Sequence, residues 1–302
     1  MTYNTSVMKP MRESVKLKFF ALLLLCCGFA MPCVAETLPN VKNLRLSYSV
    51  YLGGLHAMDG VVGFTRSGGT YKIDLRTGTH GLLRRIAPWD AEVVSNGNIR
   101  QANLRPKGSN VLTYWKDKPN SVNFVFNKNT VKATFTPPEG DSKNATVPPE
   151  MKQGALDPLS GVLQIIANTT YNNECNQTVP IYDGHRRFDL TLNNSGSEEL
   201  DGEDYSVFTG TAQRCIVDFK MLAGSRTDRE GSHFWQDGTD NNNNLGRWGK
   251  SNRPPVYIFL GKVRDDLPEL PVRAETSTVF GAIMVHLTKV EGGKGPTLTI
   301  PQ

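Results

Sequence analysis

The sequence predicts an all-β, mainly antiparallel protein: a strongly curved sheet or open β-barrel with one helix packed on its concave face. Three observations carry this. Most of the chain is a succession of short segments in which apolar and polar residues alternate, the two-residue period of a half-buried strand. Gly, Asn and Asp punctuate those segments, and each of them supports a tight turn through its own backbone or side-chain chemistry. One stretch alone, beginning at Asp157, has the three-and-four spacing of an amphipathic helix.

Taken in order, the chain opens with Lys9, Arg12, Lys16 and Lys18, an apolar run over 19–30, and then Met31-Pro32-Cys33-Val34-Ala35. This is the pattern of a secretory signal peptide, and the run is too short for a membrane span, which needs about 20 residues. Small residues at Cys33 and Ala35 place cleavage after Ala35, so 36–302 is the expected mature chain, one β-barrel-like domain in the exported compartment. A lipoprotein signal needs a small residue before its cysteine, whereas Cys26 follows Leu25, Cys27 follows Cys26 and Cys33 follows Pro32. Of 34 Lys+Arg and 29 Asp+Glu in the chain, the leader holds four and one. The remainder is nearly neutral, and nucleic acid is not an expected partner.

In 44–52, Leu44, Leu46, Tyr48, Val50 and Leu52 share one face, and Arg45, Ser47 and Ser49 take the wet one. Segments 61–65 and 70–75 read as a hairpin across Arg66-Ser67-Gly68-Gly69, where the glycines supply the positive φ of a tight turn. Further strands are expected at 91–94, 99–104, 111–115, 122–126 and 131–135. Turns are expected at Asn96-Gly97-Asn98, Lys107-Gly108-Ser109 and Asn127-Lys128-Asn129. Residues 136–154 hold Pro137, Pro138, Pro148 and Pro149 and read as a long loop. The second half continues with strands at 179–182, 188–192, 205–212, 215–222, 256–263, 272–277 and 282–290. A loop at 224–252 breaks that rhythm with four asparagines, Asn241 to Asn244.

The helix starts at Asp157, an N-cap whose carboxylate can accept first-turn N–H groups, and at Pro158, which suits the first helical position because no N–H is needed there. Leu159, Val162, Leu163, Ile166 and Ala167 form its expected apolar face, with Ser160, Gln164 and Asn168 opposite. Cys175 and Cys215 are the two cysteines outside the leader. In an oxidising compartment an even pair reads as a disulfide, the alternative being two buried thiols.

With Leu156-Asp157-Pro158-Leu159-Ser160, Cys175, the hairpin Asp183-Gly184-His185-Arg186-Arg187-Phe188 and Cys215 in view, the chain resembles the bacterial envelope proteins grouped as domain of unknown function 3108, over roughly 44–290. The resemblance implies a periplasmic all-β fold akin to the half-barrels of lipoprotein carriers. It brings no catalytic residues with it.

Candidate chemistry is sparse. His56, His80, His185, His233 and His286 are scattered, with none paired at ligand spacing, so no metal is expected. A nucleophile elbow is absent, and 240–251 lacks the glycine and terminal Glu of a calcium loop. No cofactor is expected either. His185, Arg186 and Arg187 suggest an anion contact; the competing reading is a hairpin turn in which Asp183 bonds its own backbone and the arginines pair with carboxylates. Residues 81–89 read either as a loop touching a membrane surface, with Trp89 at the interface, or as a short helix closing the barrel with Leu82, Leu83 and Ile86 inward. The function expected is non-enzymatic: a module binding an acyl chain, lipid or lipoprotein inside the curved sheet. The rival is a structural or protein-interaction module of the cell envelope, with a packed interior and protein partners the sequence does not identify.

Overall fold

The seam of the molecule is the pairing of its first strand with its next-to-last. In the computed structural model, which describes residues 43–128, 130–138, 147–172, 174–202, 204–224 and 254–300, β1 (Asn43–Leu52) pairs antiparallel with β13 (Gly281–Gly292) from Leu44 opposite Gly292 to Leu52 opposite Ile283. From this seam two meanders run in opposite directions. One comprises β2 (Leu55–Ser67), β3 (Thr70–Thr79), β4 (Trp89–Arg100), β5 (Asn103–Trp115), β6 (Lys118–Asn127) and β7 (Thr130–Thr136). The other runs back through β12 (Leu270–Thr278), β11 (Val256–Gly261), β10 (Gly210–Gly224), β9 (Arg186–Leu200) and β8 (Gln177–Tyr182). Thirteen strands thus lie in one antiparallel order with β7 and β8 at its ends, and β14 (Leu298–Thr299) pairs β13 beside it. The expected signal peptide, its cleavage site after Ala35, His233 and the Asn241–Asn244 stretch lie outside the described residues.

The sheet curves without closing: β7 and β8 are not hydrogen-bonded to each other. Side chains span the gap instead. The Phe124 and Tyr182 rings meet edge-on at 6.1 Å, and Phe135 lies 4.6 Å from His185. The free edge of β8 is covered by Leu156, which donates to the Pro180 carbonyl at 2.9 Å and accepts from the Tyr182 amide at 2.8 Å.

Helix α2 (Pro158–Asn172) occupies the concave side. Leu159, Leu163 and Ala167 pack on Tyr71, Ile73, Ile99 and Leu104 of β3 to β5, while Ile165 packs with Val179, Ile181 and Leu192 of β8 and β9. Gly161 is where helix and sheet approach most closely, since a Cβ there would collide with the Ile181 side chain. Because sheet lies on two sides, the single apolar face expected for α2 is a correction to make: Ser160 and Gln164 are buried and Val162 is exposed. Ser160 and Gln164 each have a partner, as their burial requires. The Ser160 and Tyr71 hydroxyls lie 2.8 Å apart, and Gln164 accepts from the Leu104 amide at 2.9 Å.

Away from α2 the interior is also filled. Leu44, Leu46, Phe208, Phe259, Val272, Leu287 and Val290 form one buried cluster. Phe124, Val131, Val147, Ala155 and Tyr182 form another beside the gap. Cys175 and Cys215 are bonded, with Cα atoms 6.4 Å apart, and tie the end of α2 to β10.

Several expected boundaries move. The strand expected at 99–104 is the β4–β5 turn, with Gln101 in the left-handed region. The turns expected at Asn96-Gly97-Asn98 and Lys107-Gly108-Ser109 lie inside β4 and β5, where a bulge at Asn96/Gly97 absorbs the glycine. Residues 205–209 precede β10 as an irregular segment, not a strand.

Candidate functional site

Because the strands alternate in direction, four connections that neighbour one another along the sheet fall at the same end: β12–β13, β1–β2, β3–β4 and β5–β6. The β3–β4 connection contains α1 (Gly81–Ile86). The first two touch directly, the Gly53 amide donating to the Ala282 carbonyl at 2.9 Å, and the last two meet where the Lys116 amide donates to the Pro88 carbonyl at 3.1 Å. Every one of them exposes a large apolar side chain. Val279, Phe280, Leu55, Leu82 and Ile86 are each between 65% and 70% exposed, and Trp115 is 49% exposed. Lone exposed apolar residues are ordinary; here they form an arc along adjoining turns. Arg84 grips Asp90 bidentately at 2.8 and 2.9 Å, whereas exposed Arg85 has no carboxylate partner among the described residues.

At the base of this arc, on the outer face, His56, Asp59 and His80 converge. His56 Nε2 lies 2.8 Å from Asp59 Oδ1, and His80 Nδ1 lies 2.8 Å from Asp59 Oδ2. The two imidazoles stack at 4.0 Å. The Ser49 hydroxyl donates to Asp59 Oδ1 at 3.0 Å, the Thr77 hydroxyl donates to the Asp59 carbonyl at 2.8 Å, and the His80 amide donates to the Ala57 carbonyl at 2.7 Å. Tyr51 stacks on His56 at 5.2 Å and meets Tyr205 and His286 edge-on. Burial, then the neighbouring Tyr205 and the Asp59 carboxylate, push the Tyr51 hydroxyl above its ordinary range. An open groove of about 500 Å³ leads from Asp59 past Arg76 to Asp90, Glu92 and Asp117.

The residues singled out from the sequence fall elsewhere. Asp157 caps α2, its Oδ1 accepting the Ser160 amide at 3.1 Å, and Pro158 holds the first helical position. The hairpin 183–188 takes the turn form. Asp183 Oδ1 accepts the amides of His185 and Arg186 at 3.0 and 2.7 Å, and its Oδ2 holds the Arg186 guanidinium at 2.8 Å. Arg187 binds Asp189 at 2.8 Å and the Met151 carbonyl at 3.1 Å. Both guanidiniums are therefore engaged by carboxylates within the fold, as the hairpin-turn reading expects. In α1 the expected inward orientation is also corrected, since Leu82 and Ile86 face solvent: six residues give only one and a half turns, too few to bury an apolar stripe.

The reading that no histidines pair is corrected by His56 and His80. The expected four-residue turn at 66–69 would set residue 56 opposite 79; the hairpin instead closes with Ser67 opposite Thr70, which sets Met58 opposite Thr79 and brings His80 beside His56 and Asp59.

A family model described as "Protein of unknown function (DUF3108)" matches residues 47–288. Curated proteins give no match. Among solved structures, the chain is similar to a beta-barrel-like protein of domain of unknown function DUF1849 from Brucella abortus, with 10% identity, 85% of this chain and 100% of that chain covered, and a TM-score of 0.49. The family match runs from within β1 to within β13, across both meanders and α2, and the chain belongs to the DUF3108 family of proteins of unknown function.

Proposed function

We propose that the protein is a non-enzymatic module of the bacterial envelope, exported by its leader into the periplasm, that docks reversibly on a lipid surface through the rim formed by Leu55, Leu82, Ile86, Trp115, Val279 and Phe280. The observation that carries this reading is the apolar exposure shared by four adjoining connections at one end of the sheet. Apolar tips beside Trp115 and Arg85 suit a membrane interface, where aromatic rings sit at headgroup level and a basic side chain meets anionic lipid. Even partial burial of these side chains contributes on the order of 5 kcal/mol, close to the lower end of what association costs, so the contact is weak and reversible. The rim is preferred to an acyl-chain site inside the sheet because α2 packs there on β3 to β5 and on β8 and β9.

The test is flotation with vesicles of phosphatidylethanolamine and phosphatidylglycerol. The wild-type chain should float with the vesicles, and a Leu82→Ser, Ile86→Ser, Phe280→Ser variant should stay behind with unchanged melting. A wild-type chain that fails to float, or a variant that floats as well, overturns the reading; the first result points to a protein partner for the rim.

A further inference from the structure

We propose that His56, Asp59 and His80 form a binding site for a divalent transition-metal ion of the zinc type. Their ligand atoms all lie within 4.8 Å of one another; a tetrahedral Zn²⁺ ion bound at about 2 Å holds its donors roughly 3.3 Å apart, so the three groups need to close by on the order of 1 Å to share an ion. Two imidazoles and one carboxylate favour Zn²⁺, Cu²⁺ or Ni²⁺ over Mg²⁺ and Ca²⁺, which prefer all-oxygen sets. Both imidazole nitrogens already point at the same carboxylate, so an ion can enter between them with small side-chain rotations. The remaining coordination positions face solvent, where His80 and Asp59 are about half exposed.

The surroundings fit this role. Ser49 donates to the Asp59 carboxylate, the outer-shell support that orients a metal ligand, and Thr77 holds the Asp59 backbone from the other neighbouring strand. In the groove beside Asp59, Asp90 and Glu92 are paired with Arg84 and Arg76, and Asp117 adds a further carboxylate. A bound ion would clamp β2 to the junction of β3 and α1, directly beneath Leu55 and Leu82. The site stands independently of lipid docking, since its ligands are not the rim side chains.

The test uses the full chain with free thiols alkylated, stripped of metal by chelation and titrated with Zn²⁺ against a chromophoric competitor, with Mg²⁺ in parallel. The expected result is one saturable Zn²⁺ per chain and no competing Mg²⁺ binding. Affinity should fall more than about 100-fold in Asp59→Asn and His80→Asn and about 10-fold in Ser49→Ala, which disturbs only the outer shell. His185→Asn should bind as the wild type does. X-ray absorption should report two imidazole nitrogens at the ion, and Zn²⁺ should raise the melting temperature, because it binds only the folded state. If His80→Asn fails to fold, His56→Gln supplies the same comparison. No saturable Zn²⁺ in the wild type, or a site that survives loss of these ligands, overturns the proposal.

Discussion

The Ser95 hydroxyl, on β4, donates to Asp157 Oδ1 at 2.5 Å, and the same oxygen receives the Ser160 amide that begins α2. One carboxylate thus sets where the helix starts and fastens that start to the sheet. Ser109 on β5 lies 2.8 Å from Ser95, extending the connection by one strand. Asp157→Ala should destabilise by about 3 kcal/mol: roughly 1 for the cap and the rest for leaving buried hydroxyls without an acceptor. Asp157→Asn keeps an acceptor at the cap and should cost clearly less. Urea unfolding checks this, with the midpoint expected to fall at unchanged slope. Equal losses in both variants would contradict the dual role.

The bond between Cys175 and Cys215 closes a loop of 40 residues. On the chain-entropy account a loop of that size contributes about 4 kcal/mol. Reduction, or the Cys175→Ser, Cys215→Ser double variant, should lower stability by about that amount. Alkylation under denaturing, non-reducing conditions should find both thiols blocked.

Rim substitutions should separate binding from folding. Leu82 and Phe280 are about two-thirds exposed, so Leu82→Ser and Phe280→Ser should each change unfolding free energy by no more than about 0.5 kcal/mol. Calorimetry on the variants used for vesicle flotation checks it. A large loss of stability would mean that these side chains pack within the fold.

Asp266 gives a signed dependence on pH. Burial alone would raise its carboxyl. The Lys294 amide at 2.6 Å, the Arg264 guanidinium at 2.9 and 3.1 Å and the Gly295 amide at 3.3 Å outweigh that and hold it below its usual range. A native carboxyl that titrates below its unfolded value stabilises the fold above the unfolded pKa, about 3.9, and loses that contribution as pH falls through the native value. Asp266→Asn should therefore lower the melting temperature at pH 7 and lower it less at pH 3. The same difference at both pH values would assign the effect to packing.

Local pattern determined most of the secondary structure. Alternation in 44–52 marked β1 and its inward face, Asp157-Pro158 marked the start of α2, and Asp183-Gly184 marked the β8–β9 hairpin, since capping and turn chemistry act over three or four residues. Two cysteines beyond the leader pointed to one bond for the same economical reason. Tertiary structure decided what depends on distant neighbours. Gln164 and Ser160 read as polar-face residues because nothing local reveals that β3 to β5 and β8 enclose α2 from two sides. Leu82 and Ile86 read as inward because their exposure depends on how six helical residues sit against turns from β1, β5 and β12. The meeting of His56, Asp59 and His80 required the full length of the β2–β3 hairpin, whose register alternation alone leaves free to slip. Pairing between β1 and β13 joins residues more than 200 apart, and that seam brings the β12–β13 connection beside the three apolar connections that the β1–β6 meander already sets side by side.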